Sequence, residues 1–165
     1  MNLSTINHMT QQQFTEAFGE IFEHSPWVAE LAWHDRPFTS LEQLHAAMIK
    51  AVKEAAPEKM IALFREHPDL ATRIRIGAYS TKEQQGAGLD RLTKEEYELF
   101  SETNRLYTEK FGFPFLFAVR GKDKSDILAA MSARIHNSVS IETDEAMLQI
   151  TFITKFRLED LLSES

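Results

Sequence analysis

The feature that most restricts this chain is a rhythm. Apolar residues recur three and four positions apart in segments that open on a residue able to start a helix and close at proline or glycine. Thr10 and Gln13 make a T-x-x-Q capping box ahead of Phe14, Ala17, Phe18, Ile21 and Phe22, which share one helical face. Ser25-Pro26 restarts the chain into a short helix carrying Trp27, Leu31 and Ala32. After "DRPF", Thr39 or Ser40 can cap a helix whose buried stripe is Leu41, Leu44, Met48, Val52 and Ala55. Pro57 suits the first turn of a helix through Met60, Leu63 and Phe64. Pro68 ends it, because the residue before a proline is pushed out of the helical region.

Beyond Pro68 a short turn or helix holds Leu70 and Ile74, and "IGAYSTKEQQGAGLD" reads as loop with a brief helical piece. Thr93 and Glu96 cap a long helix bearing Tyr97, Phe100, Leu106 and Tyr107, stopped by Gly112. The run "FGFPFLFAVRG" is apolar, aromatic and interrupted by proline, which suits an extended buried segment better than a helix. Two more helices are expected, from about Lys124 to Asn137 and from Thr143 to Leu162. No two well-separated strand patterns occur, no repeat period emerges and no linker divides the chain. The expectation is an all-α fold, a bundle of about seven to nine helices in one domain over residues 1–165, with its core between about 14 and 162.

Composition narrows the function. With 165 residues, 43% of them apolar, the chain can bury one real core. Twenty-five acidic residues against 18 basic ones give a net charge of −7, which opposes long-range attraction to nucleic acid or anionic lipid. A local basic pocket can still hold an anionic ligand. Cysteine is absent, which excludes disulfides, thiolate chemistry and cysteine-based zinc sites. "MNLSTINHMTQQQ" lacks a basic stretch leading into an apolar one, no uncharged run reaches the roughly 18 residues of a membrane span, and "LLSES" is not a peroxisomal tripeptide. A soluble cytoplasmic protein is expected.

Three side chains stand out against this frame. His67 lies three and four residues beyond Phe64 and Leu63, on or beside the apolar face of its helix. The plain reading is a C-terminal histidine satisfying the last carbonyls and the helix dipole. The chemical reading is an acid/base group, since histidine exchanges protons near neutral pH. Arg157 occupies the same face of the last helix as Ile150, Ile153 and Leu161. A guanidinium there must snorkel out, pair with a carboxylate or meet an anionic ligand. Glu83 closes an S-x-x-E capping box with Ser80, at a helix start whose amides could also face a ligand. Other chemistries fail on spacing. The six histidines form no H-E-x-x-H or other close ligand pair, so no metal site is expected; no G-x-S-x-G elbow exists, and "GAG" at Gly86 to Gly88 follows no strand.

Taken in order, "FTEAFGEIFEHSPW", "RPF", "HPDLA", "STKEQQGAGLD", "KFGFPFLFAVRG" and "ITKFRLEDLL" resemble the decarboxylases of the ureide pathway. Those enzymes act on 2-oxo-4-hydroxy-4-carboxy-5-ureidoimidazoline (OHCU) in the oxidation of urate to allantoin. The resemblance runs from about Phe14 to Leu162, and it lies in the order and spacing of short motifs. It implies a cofactor-free, all-helical enzyme that works as a homodimer on a small ureidoimidazoline. It makes His67 the catalytic acid/base with Pro68 beside it. Ser80, Glu83 and Gln84 become substrate-binding and orienting groups. Phe115, Leu116, Phe117, Ala118 and Val119 are expected to offer backbone groups and apolar walls, and Arg157 to anchor the anionic substrate. The connection between "HPDL" and "STKEQ" is shorter here than in many relatives, which bears on the contacts of Ser80. The rival from another class is an interaction module, because "HPD" at His67 to Asp69 is also the tripeptide of J-domain co-chaperones. The helix before it, "PEKMIALFRE", has balanced charge and not the basic face of such modules.

Overall fold

The computed structural model of the chain describes residues 1–67 and 92–163, and every regular element among them is helical. Most of the helices start where a side chain can satisfy the first free amides. In α1 (Leu3–Asn7) that side chain is Asn2, which accepts from the Thr5 amide at 2.9 Å. Both halves of the Thr10–Gln13 box form at the start of α2 (Gln11–Phe18). The short α3 (Trp27–Ala32) follows Pro26 with no side-chain cap and tightens into a 3-10 turn at Trp33–Asp35. Ser40, of the two expected candidates, caps α4 (Leu41–Lys53) through the Gln43 amide at 3.1 Å. Next comes α5 (Pro57–Glu66), with Pro57 as its first residue.

After the undescribed stretch, α6 (Lys94–Phe111) opens on the complete Thr93–Glu96 box and stops at Gly112, whose φ of 77° is the left-handed conformation that favours glycine. A reciprocal Asp123–Asp126 box starts α7 (Lys124–Arg134), and α8 (Val139–Ser163) closes the chain. The expected boundaries need two corrections. α7 ends at Arg134, short of Asn137, and α8 begins four residues before Thr143. The Ser138 hydroxyl accepts from the Ile141 amide and provides the start, while the Thr143 hydroxyl bonds back to the Val139 carbonyl inside the helix. Several expected core residues also move outward, Leu41 among them, which is only half-buried. Leu31 and Leu106 are exposed, and Ala55 lies past the end of α4 and is only half-buried.

The chain gathers into two compact units, Met1–Glu66 with Thr151–Ser165, and His67–Ile150; α8 contributes to both. In the first unit α3 packs on α2 and α4 over a core that includes Phe14, Phe18, Phe22, Leu44, Met48 and Val52. The Phe14 and Phe18 rings lie 4.8 Å apart, one helical turn along α2. Gly19 ends that helix, and a Cβ there would sit 2.4 Å from the Thr15 carbonyl oxygen. Arg36 stacks over Trp33 at 3.9 Å and donates to the Asn7 and Met9 carbonyls, fastening the α1–α2 link to the turn after α3. In the second unit α6 packs on α7, and Tyr107 is the hub of an aromatic cluster, 4.5, 6.0 and 5.3 Å from Phe111, Phe113 and Phe115. No helix among the described residues is long and apolar enough to cross a membrane.

The core of the first unit includes a polar contact between α4 and α8. His45 of α4 is buried, with Nε2 2.9 Å from the Thr154 hydroxyl of α8. Burial, with the charge of Lys155 adding to it, lowers the imidazole pKa from 6.5 to about 4. The folded chain therefore binds fewer protons than the unfolded chain between those values. The stability from the neutral imidazole is complete above about pH 6.5 and is lost as the pH falls toward 4, amounting to roughly 3 kcal/mol. Urea unfolding at pH 7 and pH 4.5 checks this. His45→Gln should lose markedly less stability between the two pH values than the wild type does.

Candidate active site

His67 is the residue that follows α5, where Leu63 and Phe64 turn the helix's apolar face inward. That phase carries the imidazole in with them, and His67 is 1% exposed. Its expected neighbour Pro68, and with it Ser80, Glu83 and Gln84, lie outside the described residues.

The second expected piece, Phe115 to Val119, is not helical, as the proline-broken aromatic run predicts. Phe115, Leu116, Ala118 and Val119 are buried and Phe117 is half-buried, with the Phe115 and Phe117 rings stacked 5.8 Å apart. A buried irregular segment, with no strand beside it among the described residues, must find partners for its backbone elsewhere. Arg134 of α7 donates from Nη1 to the Leu116 carbonyl at 2.7 Å, and its guanidinium lies 4.5 Å from the Phe115 ring centre. Gln149 of α8 accepts from the Ala118 amide at 2.9 Å and is itself held by Glu145, to which its amide donates at 2.9 Å. The Val119 carbonyl accepts from the Lys122 amide at 3.0 Å. Three backbone groups expected to be available to substrate are thus already bonded within the protein. At those points the segment is a fixed wall.

Arg134 is held in turn. It pairs with the buried carboxylate of Glu142, Nε meeting Oε1 at 2.5 Å and Nη2 meeting the same oxygen. Tyr107 donates its hydroxyl to that oxygen at 2.5 Å, and Asn137 donates to the other carboxylate oxygen at 3.1 Å. Burial and the adjacent Glu142 carboxylate push the Tyr107 phenol well above its ordinary range, so it stays a donor. Arg157, 5% exposed on α8, donates from Nη2 to Glu23 Oε1 at 2.8 Å and from Nη1 to the Ile21 carbonyl at 3.1 Å. Of the three fates open to a guanidinium on an apolar stripe, carboxylate pairing is present.

The structure therefore buries His67, fixes the 115–119 segment and seats Arg157 on Glu23. Sequence reasoning missed Glu23, Arg134, Glu142 and Gln149. Arg134 had a signal, since it lies three and seven residues beyond Met131 and Ile127 on the buried stripe of α7. The same reasoning that singled out Arg157 applies to it. Among the described residues no three histidine, cysteine, aspartate or glutamate side chains gather as metal ligands.

Comparison with known proteins gives the site its context. The family model of the OHCU decarboxylases matches residues 7–159. A 2-oxo-4-hydroxy-4-carboxy-5-ureidoimidazoline decarboxylase from Haloferax volcanii is 42% identical over 163 residues, 99% of this chain and 97% of that one. The uric acid degradation bifunctional protein PucL of Bacillus subtilis is also 42% identical, but this chain spans only 33% of its length. Among solved structures, a crystal structure of (S)-allantoin synthase superposes with a TM-score of 0.82 at 28% identity, covering 98% of this chain and 54% of that one.

The Arg134–Glu142 pair yields a stability prediction. Glu142→Leu strips a buried guanidinium of its counter-charge and should cost about 3–5 kcal/mol. Replacing both partners, Arg134→Met with Glu142→Leu, should recover much of that. Denaturant unfolding of the single and double variants measures it.

Proposed function

The chain belongs to the OHCU decarboxylase family, and we propose that it converts OHCU to (S)-allantoin and CO2 in urate degradation, as a carboxy-lyase that needs no cofactor. One observation carries the reading: the family match covers residues 7–159, and the Haloferax relative is matched over nearly its whole length. The match spans both compact units, which supports treating residues 1–165 as one functional domain. It also sets the "HPD" tripeptide inside decarboxylase sequence, which removes the motive for a co-chaperone.

The chemistry follows from the substrate. Its carboxylate shares a carbon with a hydroxyl and adjoins a C=N bond. When the bond to the carboxylate breaks, the electron pair moves into the C=N, whose nitrogen takes a proton, and CO2 leaves. The resulting enol then becomes a carbonyl as a proton is delivered to the neighbouring carbon. His67 is the acid/base group in this reading. It bonds the hydroxyl or carboxylate and handles the hydroxyl proton, and its burial at the end of α5 supports the role by keeping the exchange away from bulk water. Glu83, with Ser80 and Gln84, holds the ring and ureido donors. Pro68 and the 115–119 segment form walls, and Arg157 grips a substrate oxygen on the opposite side. Proton delivery from one face of a chiral pocket gives a single enantiomer. We read the enzyme as a homodimer, as the family resemblance implies, working in the cytoplasm; a light-scattering mass of two chains checks the dimer.

The test generates OHCU from urate with uricase and hydroxyisourate hydrolase and follows it by absorbance and circular dichroism. Added protein should speed its disappearance and leave only (S)-allantoin. His67→Asn should fold normally and lose about 10²–10⁴-fold in turnover. Near-wild-type decarboxylation by that variant would remove His67 from the mechanism, and no acceleration by the wild type would remove the activity.

A further inference from the structure

The turn after α2 carries a buried carboxylate, Glu23, only 7% exposed. It stands between two arrangements that cost free energy. On one side its Oε1 and the Ile21 carbonyl both receive the Arg157 guanidinium, and taking both charges out of water is unfavourable unless the geometry is good. On the other side His24 has a φ of 47°, in the left-handed region that a residue with a Cβ occupies at a cost. Ser25, also buried, locks the turn by donating its hydroxyl to the Glu23 carbonyl at 2.9 Å and its amide to the Phe22 carbonyl at 3.1 Å. Backbone strain of this kind persists where the surroundings over-determine it. Here it lies next to a buried carboxylate that pairs with Arg157.

We propose that Glu23 is a positioning residue for Arg157, fixing the guanidinium and cancelling its charge so that Arg157 serves substrate as a hydrogen-bond donor to a neutral oxygen and not as counter-ion of the departing carboxylate. The proposal rests on the reading of Arg157 as a substrate anchor. Its physical basis is differential binding. The carboxylate leaves as uncharged CO2, so a bare cation locked onto it stabilises the ground state more than the transition state and slows the step. A guanidinium already balanced by Glu23 keeps its directional donors without that penalty.

Steady-state kinetics on the full chain, with OHCU generated in the cuvette, test it. Glu23→Gln keeps the shape and the acceptor oxygen but removes the charge. It should lower KM, as substrate carboxylate binds a guanidinium that has lost the Glu23 charge, and lower kcat by roughly 10- to 100-fold. Oxalate should inhibit this variant competitively and the wild type far less. Glu23→Asp keeps the charge one methylene short and should lower kcat without lowering KM. Unchanged kcat and KM in Glu23→Gln, or a loss that only tracks the folded fraction in thermal unfolding, overturns the proposal. If Glu23→Gln does not fold, Glu23→Asp decides, and an unchanged kcat overturns the proposal. Arg157→Ala separates the two layers. Wild-type turnover in that variant defeats the anchor reading itself, whereas its collapse beside an unaffected Glu23→Gln leaves the anchor standing and defeats Glu23 alone.

Discussion

Buried backbone that is not helical is the constraint on which this structure depends. A helix satisfies its own amides and carbonyls, but an irregular segment in an all-α protein has no neighbouring strand to bond with. Among the described residues, two such buried stretches are each met by an arginine. Arg134 reaches the Leu116 carbonyl, and Arg157 reaches the Ile21 carbonyl. Each guanidinium is also paired with a buried carboxylate, Glu142 in one unit and Glu23 in the other. An arginine suits this task because its donors diverge from a rigid plane, so one side chain can hold a carbonyl and a carboxylate together. A lysine offers no fixed directions.

On the proposed reading, the arrangement has a functional consequence. Groups meant to hold a substrate must not shift when it arrives, and side chains locked by a second set of contacts are steadier than side chains on free loops. The 115–119 segment is bonded at Leu116 by Arg134, at Ala118 by Gln149 and at Val119 by Lys122, while the Phe115 ring packs against Tyr107 and beside Arg134. Its geometry is settled before any ligand binds. Arg157 is held in the same way by Glu23 and Ile21.

What the sequence disclosed and what it withheld divide along the range of the interactions involved. The capping boxes at Thr10 and Thr93 were readable because both partners lie within one turn of each other. The non-helical run after Gly112 was readable because proline and clustered aromatics are local signals. The burial of His67 followed from helical phase. Leu31 and Leu106 misled because an apolar residue at the edge of a stripe is placed inside or outside by its neighbours, which periodicity does not name. Glu23 could not be paired with Arg157 from sequence, since they stand 134 residues apart and a glutamate among many has no mark of its own. The family resemblance supplied roles for His67, Glu83 and Arg157, but it did not supply the carboxylate that holds the arginine.

Charge completes the physical picture. A chain with net charge −7 repels an anionic substrate at long range, yet ions screen that field beyond about 8 Å at physiological ionic strength. On the proposed reading, capture therefore rests on contacts made inside the site. If the contact were a bare arginine, the carboxylate would bind well and leave reluctantly. A neutralised Arg–Glu pair reverses the balance: it contributes little to long-range attraction, keeps its hydrogen-bonding directions, and favours the state in which negative charge has moved from the carboxylate into the ring. For a reaction whose leaving group is neutral CO2, orientation without excess positive charge is the more effective use of a buried guanidinium.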